Sequence, residues 1–412
     1  MKKFIPLYIA LFFAPSVMAQ ELMSVYEAPD EEKSVLQINS MNYYASNHYN
    51  NALTDKFLFG GTITTDIKDR ALNRLGSLNS FGGQAEQELL FYTPAFSPIG
   101  DERYGFMVEI SDHHLLSTHV ASDLFQTLMY GNAGTLGDTM DFGFTHAQYL
   151  HYQKVGIGIY EKSTMSSIRL NYVIGSRAFE GRLSNSWMLS QTDTISLQLQ
   201  GAGYQTDRFS PYIGLQGSGV SVDLNYNFKF ETKNGREQIL NLQVNNLGFI
   251  YWNQSTIDYG VDSLVRYTGF DVQDFMNQPE GAENNYNFQD TLGIERARGN
   301  VLKALPIEFS IQKLPMRESD KKLQFIGGFK TLLTSDYFPY FYGGAYYAVS
   351  DAFTGSTRLS YGGFGRLQWG LNLNYWAGDK ARISLGTFDM IGFISKTYGH
   401  GRSMHLSANF NF

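Results

Sequence analysis

The sequence predicts an all-β fold: a transmembrane antiparallel up-and-down β-barrel of about 14 to 16 strands, with short periplasmic turns and long extracellular loops. Three observations predict it. Many segments alternate strictly between apolar and polar side chains. Aromatic residues reach 15% while charged residues stay at 17%, below the roughly 25% of ordinary globular chains. Beyond the first twenty residues no apolar run approaches the about 20 residues of a spanning helix, so a chain this aromatic is expected to meet a membrane with strands.

The chain opens "MKKFIPLYIALFFAPSVMAQ": Lys2 and Lys3, an apolar run from Phe4 to Phe13, then small residues up to Ala19. This order predicts a signal peptide over 1–19, with the mature chain starting at Gln20. The apolar run is too short to span a bilayer. No cysteine occurs, which excludes a lipoprotein anchor, disulfides, thiolate metal sites and cysteine nucleophiles. Loss of the two lysines takes the formal charge from −7 to −9. With no long basic run, nucleic acid is not an expected partner.

Residues 20–50 show neither helical nor strand periodicity, and 20–56 are expected to form a periplasmic or plug segment, with the barrel over 57–412. "FLFGGTITTDI" (57–67) and "EQELLFYTPAF" (86–96) are candidates for two strands preceding about fourteen from residue 102 onward. Alternating segments follow near 153–160, 165–175 and 193–203. In "VSVDLNYNFKFE" (220–231), Val220, Val222, Leu224, Tyr226, Phe228 and Phe230 share one face. Ser221, Asp223, Asn225, Asn227, Lys229 and Glu231 share the other, because successive side chains on a strand point to opposite sides. Asn234-Gly235 then suits a tight hairpin turn, and Leu240, Leu242 and Val244 resume the pattern. Further segments lie near 305–313, 322–332, 338–349 and 355–363, followed by "RLQWGLNLNYW" (366–376) with a Gly378-Asp379 turn. The chain ends on "MHLSANFNF" (404–412), with Met404, Leu406, Ala408, Phe410 and Phe412 facing lipid and His405, Ser407, Asn409 and Asn411 facing the lumen.

A secreted β-sandwich also alternates. Large apolar residues along nearly every strand, strand lengths near the roughly ten residues that cross a bilayer at a tilt, and the loop lengths favour the barrel. Counted back from Phe412, the connections 377–380, 350–354, 315–321, 232–236, 191–193, 161–164 and 97–101 fall on the periplasmic side and are short. Those at 113–142, 204–218 and 251–304 fall outside and are long; 274–290 is polar and irregular, with an expected helical turn at 271–277. Phe228, Phe230, Tyr375, Phe410 and Phe412 fall at the periplasmic ends of descending strands, the place of an interfacial aromatic girdle.

The stretches "SDLFQTLMYGN" (122–132), "VNNLGFIYWNQS" (244–255), "YTGFDV" (267–272) and the closing strand resemble a family of uncharacterised outer-membrane barrels of Bacteroidota, a domain of unknown function. The resemblance covers most of the mature chain. It implies an architecture loosely like fatty-acid-transporter-type barrels, some of which serve the type IX secretion system, and it supplies no site residue. His405, Phe410 and Phe412 resemble the carboxy-terminal signal read by the barrel-assembly machinery, with Ser407 where glycine is usual. "DTM" (138–140), "DSL" (262–264) and "DTL" (290–292) resemble the short O-glycosylation motif of Bacteroidota.

The lumen-facing candidates are Arg169, Asn171, Gln198, Gln200, Asp223, Asn225, Lys229, Gln243, Glu308, Gln312, Arg366, Asn372 and Asn374, a mixture of both charge signs and amides. They suit either a hydrophilic passage or a lumen filled by its own hydrogen-bonded side chains. No G-x-S-x-G occurs; "GLQGSG" (214–219) has the wrong spacing. His113-His114 beside Asp112 is the one dense histidine cluster, and neighbours on a strand point apart, so the pair reads as loop polarity, as do His400 and His405. No catalytic residue, metal or cofactor is expected. The expected partners are outer-membrane lipid, the barrel-assembly machinery and other envelope proteins. The expected function is a Gram-negative outer-membrane barrel serving as a subunit of an envelope assembly, with a passive route for small polar or lipidic molecules as the alternative.

Overall fold

The structure, a computed structural model, describes residues 25–206, 215–233, 235–268, 292–333 and 336–412. The signal segment, Asn234 and the stretch 271–290 lie outside the described residues. In chain order the strands and helices are β1 (Val35–Ser46), α1 (Asn51–Phe59), α2 (Thr65–Leu72), β2 (Asn79–Thr93), β3 (Tyr104–Val120), α3 (Ser122–Tyr130), β4 (Thr139–Asp141), β5 (His146–Glu161), β6 (Ser167–Leu183), β7 (Trp187–Ser190), β8 (Ile195–Gln205), β9 (Gly217–Glu231) and β10 (Glu237–Trp252). They continue with β11 (Ile257–Tyr267), β12 (Glu295–Arg298), β13 (Val301–Ala304), β14 (Glu308–Leu314), β15 (Leu323–Leu332), β16 (Phe338–Ala348), β17 (Phe353–Gly363), β18 (Gln368–Ala377), β19 (Ala381–Thr387), α4 (Ile391–Ile394) and β20 (Gly401–Asn411). No helix among the described residues is long and apolar enough to cross a membrane.

Fourteen of these strands, β1, β2, β3, β5, β6, β9, β10 and β14 through β20, close into an antiparallel barrel. Closure runs from Val35 opposite Asn411 to Ala45 opposite Gly401, and below it Ser34 and Phe412 exchange backbone hydrogen bonds of 2.9 and 3.0 Å. A closed wall leaves no unpaired strand edge for lipid to meet.

The wall therefore begins at Val35, inside the segment expected to be a plug; Val25 to Ser34 precede it, and residues 47–56 follow it as a connection and the first turns of α1. β1 escapes a period-two reading because its apolar side changes along its length. Leu36 and Ile38 face outward while Asn39 faces the lumen. Higher up the lumen is itself apolar, so Met41, Tyr43 and Ala45 point inward while Asn42 points out. Residues 57–67 are not a strand: they span the end of α1 and the start of α2. α1 is capped by Asn50, whose side chain accepts from the Leu53 N–H at 3.3 Å, and it ends at Gly60. It is held to the outer face of the wall by a two-pronged contact from Arg402 to Asp55, at 2.8 and 3.1 Å.

The connections at the end that carries the chain termini are 94–103, 162–166, 232–236, 315–322, 349–352 and 378–380, and all are short. Gly100 (φ 73°) and Gly378 (φ 62°) adopt left-handed backbone in two of them, a conformation glycine reaches without a Cβ clash. The opposite end holds the long connections, among them 47–78, 121–145 and 253–307.

That end is built up further than alternation foretold. β6 outruns its barrel neighbour β9, and Phe179–Leu183 pair instead with β8. β8 pairs with β7 and β11, β7 with β4, and β11 with β12, which makes a projecting sheet. The segment 193–203 is thus a strand of this projection rather than of the wall, and the 191–193 turn lies at its far tip rather than at the terminal end. β8 alternates like a wall strand because it has a one-sided core of its own: Met140, Phe142 and Met188, with Leu124, Leu183, Ile195 and Leu197. The region 251–304, expected as loop, supplies β11, β12 and β13. Likewise His113 to Val120, expected in a loop, continue β3.

Outside, the wall presents large apolar side chains such as Ile157, Leu170, Phe249, Leu359 and Leu373. Phe228, Phe230, Tyr375, Phe410 and Phe412 are exposed near the terminal end, with Phe91 and Phe412 stacked at 6.2 Å between ring centres. An apolar band with an aromatic rim is the surface of a bilayer-spanning barrel.

Candidate functional site: the charged layer in the lumen

Every second residue of β2, β3, β5, β6 and β9 points into the lumen, and at mid-height these positions carry charge. Lys154 of β5 donates to Asp223 of β9 at 2.6 Å and lies 3.2 Å from Glu109 of β3. Arg169 of β6 reaches Glu88 of β2 at 3.1 Å, Glu109 at 3.2 Å and Asp223 at 3.7 Å. All five side chains are buried, so three carboxylates share two cations out of reach of bulk water.

Buried charge is tolerated only when paired and hydrogen-bonded, and the surroundings supply those bonds. Asn171 donates to Asp223 at 2.9 Å, Asn39 to Glu88 at 2.9 Å and Ser111 to Glu109 at 2.8 Å. The backbone contributes too. β10 slips register between Val244 and Leu247, where Asn246 takes φ 61°, and this bulge turns its N–H onto Asp223 at 2.6 Å. Asparagine is among the side chains that best accept such a φ.

The facing wall brings Gln243, Glu308, Gln312 and Lys330, with Lys330 on Glu308 at 2.6 Å. The gap enclosed between the two walls measures about 20 Å³, room for about one water molecule. Above this layer the lumen is packed by Tyr43, Tyr152, Trp252, Tyr337, Phe364 and Phe388. Arg358 is buried among them, its guanidinium 4.4 Å from the Phe388 ring centre and 4.9 Å from that of Tyr342. Below the layer opens a vestibule of about 830 Å³, lined by Asn225, Asn227, Asn241 and Gln243 among others. The segment from Val25 to Lys33 runs across it. Tyr26 bridges to Met316 beneath the barrel, Glu27 pairs with Arg317 and accepts from the Trp376 indole at 3.0 Å, and Arg382 donates to the Val25 carbonyl at 2.9 Å.

The sequence candidates separate accordingly. Arg169, Asn171 and Asp223 meet in the charged layer; Gln243, Glu308 and Gln312 line the gap beside it. Asn225 lines the vestibule, while Lys229 is exposed at the terminal rim, donating to the Ser163 carbonyl at 2.8 Å. Asn372 and Asn374 are buried in the lumen, joined at 3.2 Å, and His405 reaches Asn372 at 2.9 Å. Three candidates are elsewhere. Gln198 and Gln200 belong to β8 in the projecting sheet, and Arg366 lies in the β17–β18 connection, where its guanidinium meets His48. Arg366 fails because "RLQW" is a turn up to Gln368, where the strand begins. Of the residues resembling a glycosylation motif, Thr139 is exposed on β4 and Ser263 donates to Leu292 O at 2.7 Å; Asp290 and Thr291 lie outside the described residues.

Missed by the sequence reading are Glu88, Glu109, Lys154 and Lys330. Glu109 stands between Val108 and Ile110, an alternation that was a usable signal, whereas Glu88, Lys154 and Lys330 each have a polar neighbour, Gln87, Gln153 and Thr331, that blurs it.

A family model described as a family of unknown function, DUF5723, matches residues 29–379. No curated protein matches the sequence. Among solved structures, the chain is similar to the toluene transporter TodX of Pseudomonas putida, at 11% identity over 93% of this chain and 89% of that one, with a TM-score of 0.36. It is also similar to a FadL homologue of Pseudomonas aeruginosa, at 10% identity over 92% and 90% of the two chains, with a TM-score of 0.40.

Proposed function

The chain belongs to the DUF5723 family of unknown function, and from the filling of its lumen we propose that it is a non-conducting outer-membrane barrel serving as a subunit of a cell-envelope assembly. In this reading the termini face the periplasm and the projecting sheet of β4, β7, β8, β11 and β12 faces outward. The observation that carries the proposal is the charged layer. Lys154, Arg169, Glu88, Glu109 and Asp223 meet the opposite wall with space for about one water between them, which suits an anchor and not a passive pore. No catalytic set is part of it.

Planar-bilayer recording of the purified full-length protein tests the sealed lumen: steady ohmic steps from the wild-type barrel would overturn it. Site-specific photocrosslinking in intact cells from exposed positions of β8 and β11 tests the assembly role. Discrete adducts recurring at adjacent positions are expected, and a monomer without adducts at every position would remove that role.

A further inference from the structure

On the outward face of the wall, at the height of the lumen's polar-to-aromatic transition, stands a group that an apolar band does not account for. Asp112 and His114 alternate on β3 with the lumen-facing Ser111 and His113, and share their face with the exposed Ile110. In the register of β3 with β5, His114 lies directly opposite His151 and Asp112 directly opposite Gln153. The result is a two-by-two polar patch across one strand pair, in which Asp112, His114 and His151 are metal-ligating side chains.

Its atoms converge. Asp112 Oδ2 lies 3.0 Å from His114 Nε2, and Asp112 Oδ1 lies 2.9 Å from His151 Nε2. The imidazoles are stacked, ring centres 3.9 Å apart and 14° from parallel, so both Nε2 atoms are aimed at the same carboxylate. The three ligand atoms fall within 4.8 Å of one another. Donors on a tetrahedral zinc at roughly 2.0–2.1 Å stand about 3.3 Å apart, so small side-chain shifts suffice.

Two further observations point to a cation. His151 Nε2 is 2.9 Å from an acceptor, Asp112 Oδ1, and 2.7 Å from a donor, the Gln153 amide nitrogen. One ring nitrogen cannot donate to the first and accept from the second at once, and a metal accepting its lone pair removes the conflict. The His114 Nδ1 atom lies 2.9 Å from the Tyr149 hydroxyl. The hydroxyl can accept from an Nδ1–H, and in that tautomer the Nε2 lone pair facing Asp112 would go to the metal, with the outer hydrogen bond that metal-bound histidines usually make. Gln153 is in turn held by Ser176, which donates to its Oε1 at 2.7 Å. Ser176 is the extra residue where β6 slips register against β5, so the bulge supports the patch.

We propose that Asp112, His114 and His151 form a binding site for a divalent transition metal of the zinc class, which pins β3 to β5 on the outer surface of the barrel. Two imidazoles and one carboxylate are a ligand set of borderline-soft metals, and a three-ligand count leaves a coordination position for a ligand from outside the chain. Calcium and magnesium, which prefer oxygen-only shells, are disfavoured.

Cobalt(II) is the probe. The full-length protein in detergent, stripped with a chelator, is titrated with Co²⁺ and followed by its visible ligand-field absorption, then challenged with Zn²⁺. One equivalent per chain is expected, displaced by Zn²⁺ and unmoved by Mg²⁺. His114→Gln and His151→Gln should each weaken binding at least tenfold, Asp112→Asn should shift the spectrum, and His119→Gln should leave it unchanged. Folding of each variant is checked by heat-modifiable migration. A wild-type protein that gives no Co²⁺ spectrum, or folded histidine variants that bind as tightly as wild type, overturns the proposal. Should a glutamine variant fail to fold, Asp112→Asn decides: an unaltered Co²⁺ spectrum overturns the site and an altered one supports it.

Discussion

Lys154 and Asp223 meet at 2.6 Å across β5 and β9, with β6 between them in the wall, and neither has appreciable contact with solvent. The ammonium is shared with Glu109 and the carboxylate with Arg169, so the pair joins two strands that do not hydrogen-bond to each other. Removing one member strands its partner without compensation in a low-dielectric interior. Lys154→Met is therefore expected to cost about 3–5 kcal/mol. Urea unfolding of the folded barrel should show the loss. Asp223→Asn should cost as much, and the two changes together less than their sum, because each already breaks the same contact.

Leu170 and Asn171 are neighbours on β6 with opposite surroundings. Leu170 is 59% exposed on the outer face, whereas Asn171 is fully buried against Asp223. Leu170→Arg puts a charge into lipid and is expected to cost about 2–4 kcal/mol if it lies near the bilayer midplane. Leu170→Phe is expected to be silent. Asn171→Leu, apolar yet on the lumen side, removes a donor from a buried carboxylate and should destabilise the barrel. Equilibrium unfolding in liposomes separates the three.

The strand of chain beneath the vestibule is held at Glu27, which contacts both Arg317 and Trp376. Glu27→Ala is expected to release it. Since the protein has no cysteine, a single Gln243→Cys reporter on the vestibule wall can be labelled with a maleimide. Labelling should accelerate severalfold in the Glu27→Ala background. Equal rates in both backgrounds would show that Val25 to Lys33 do not screen the vestibule.

At the opposite end, His400 and His48 sit near Arg366, with Arg74 also beside His400. Burial and then the Arg74 and Arg366 charges push the His400 imidazole down to about 4. Burial and Arg366 lower His48 as well. A depressed folded-state value favours the neutral ring. The stability it contributes is present above the ordinary histidine value near 6.5 and is lost as pH falls toward about 4. Protection of residues 47–78 and 388–400 against hydrogen exchange, corrected for the pH dependence of the intrinsic rate, should fall between pH 7 and pH 5. His400→Gln should flatten that dependence.

Phe412 is exposed at the rim, stacks on Phe91, and closes the wall through its backbone bonds to Ser34. Deleting it is expected to lower the yield of heat-modifiable, membrane-inserted protein. Deleting it together with Phe410 should lower it further. Undiminished insertion would show that the terminal ring is dispensable.

The strand faces were legible wherever one side met lipid and the other met polar lumen, as over 220–231, because two unlike environments impose a period of two. Legibility failed where that contrast failed. β1 changes its apolar side when the lumen turns aromatic at Met41 and Tyr43, and so gives no single period. β8 shows the period but satisfies it against Met140 and Met188, and alternation reports that a face is covered without saying by what. Arg169 and Asp223 were readable as inward residues, whereas their meeting with Lys154 and Glu88 depends on the order of strands around the wall. The Asp112, His114 and His151 patch was out of reach for the same reason. The sequence shows Asp112 and His114 two apart, but only the pairing of β3 with β5 brings His151 opposite.

Closure through β1 and β20 also governs how the molecule comes into being. Ser407 donates to Asn39 at 2.8 Å across a sequence separation of 368, about as non-local as a contact in this polypeptide can be. Loop-closure entropy for such a contact is repaid only once the rest of the wall is in register. The seam is therefore expected to form late in folding, once β20 is in place beside β1. A chain without β20 keeps an open β1 edge ready to pair with other strands, so the barrel is sealed against lipid only where β1 and β20 meet.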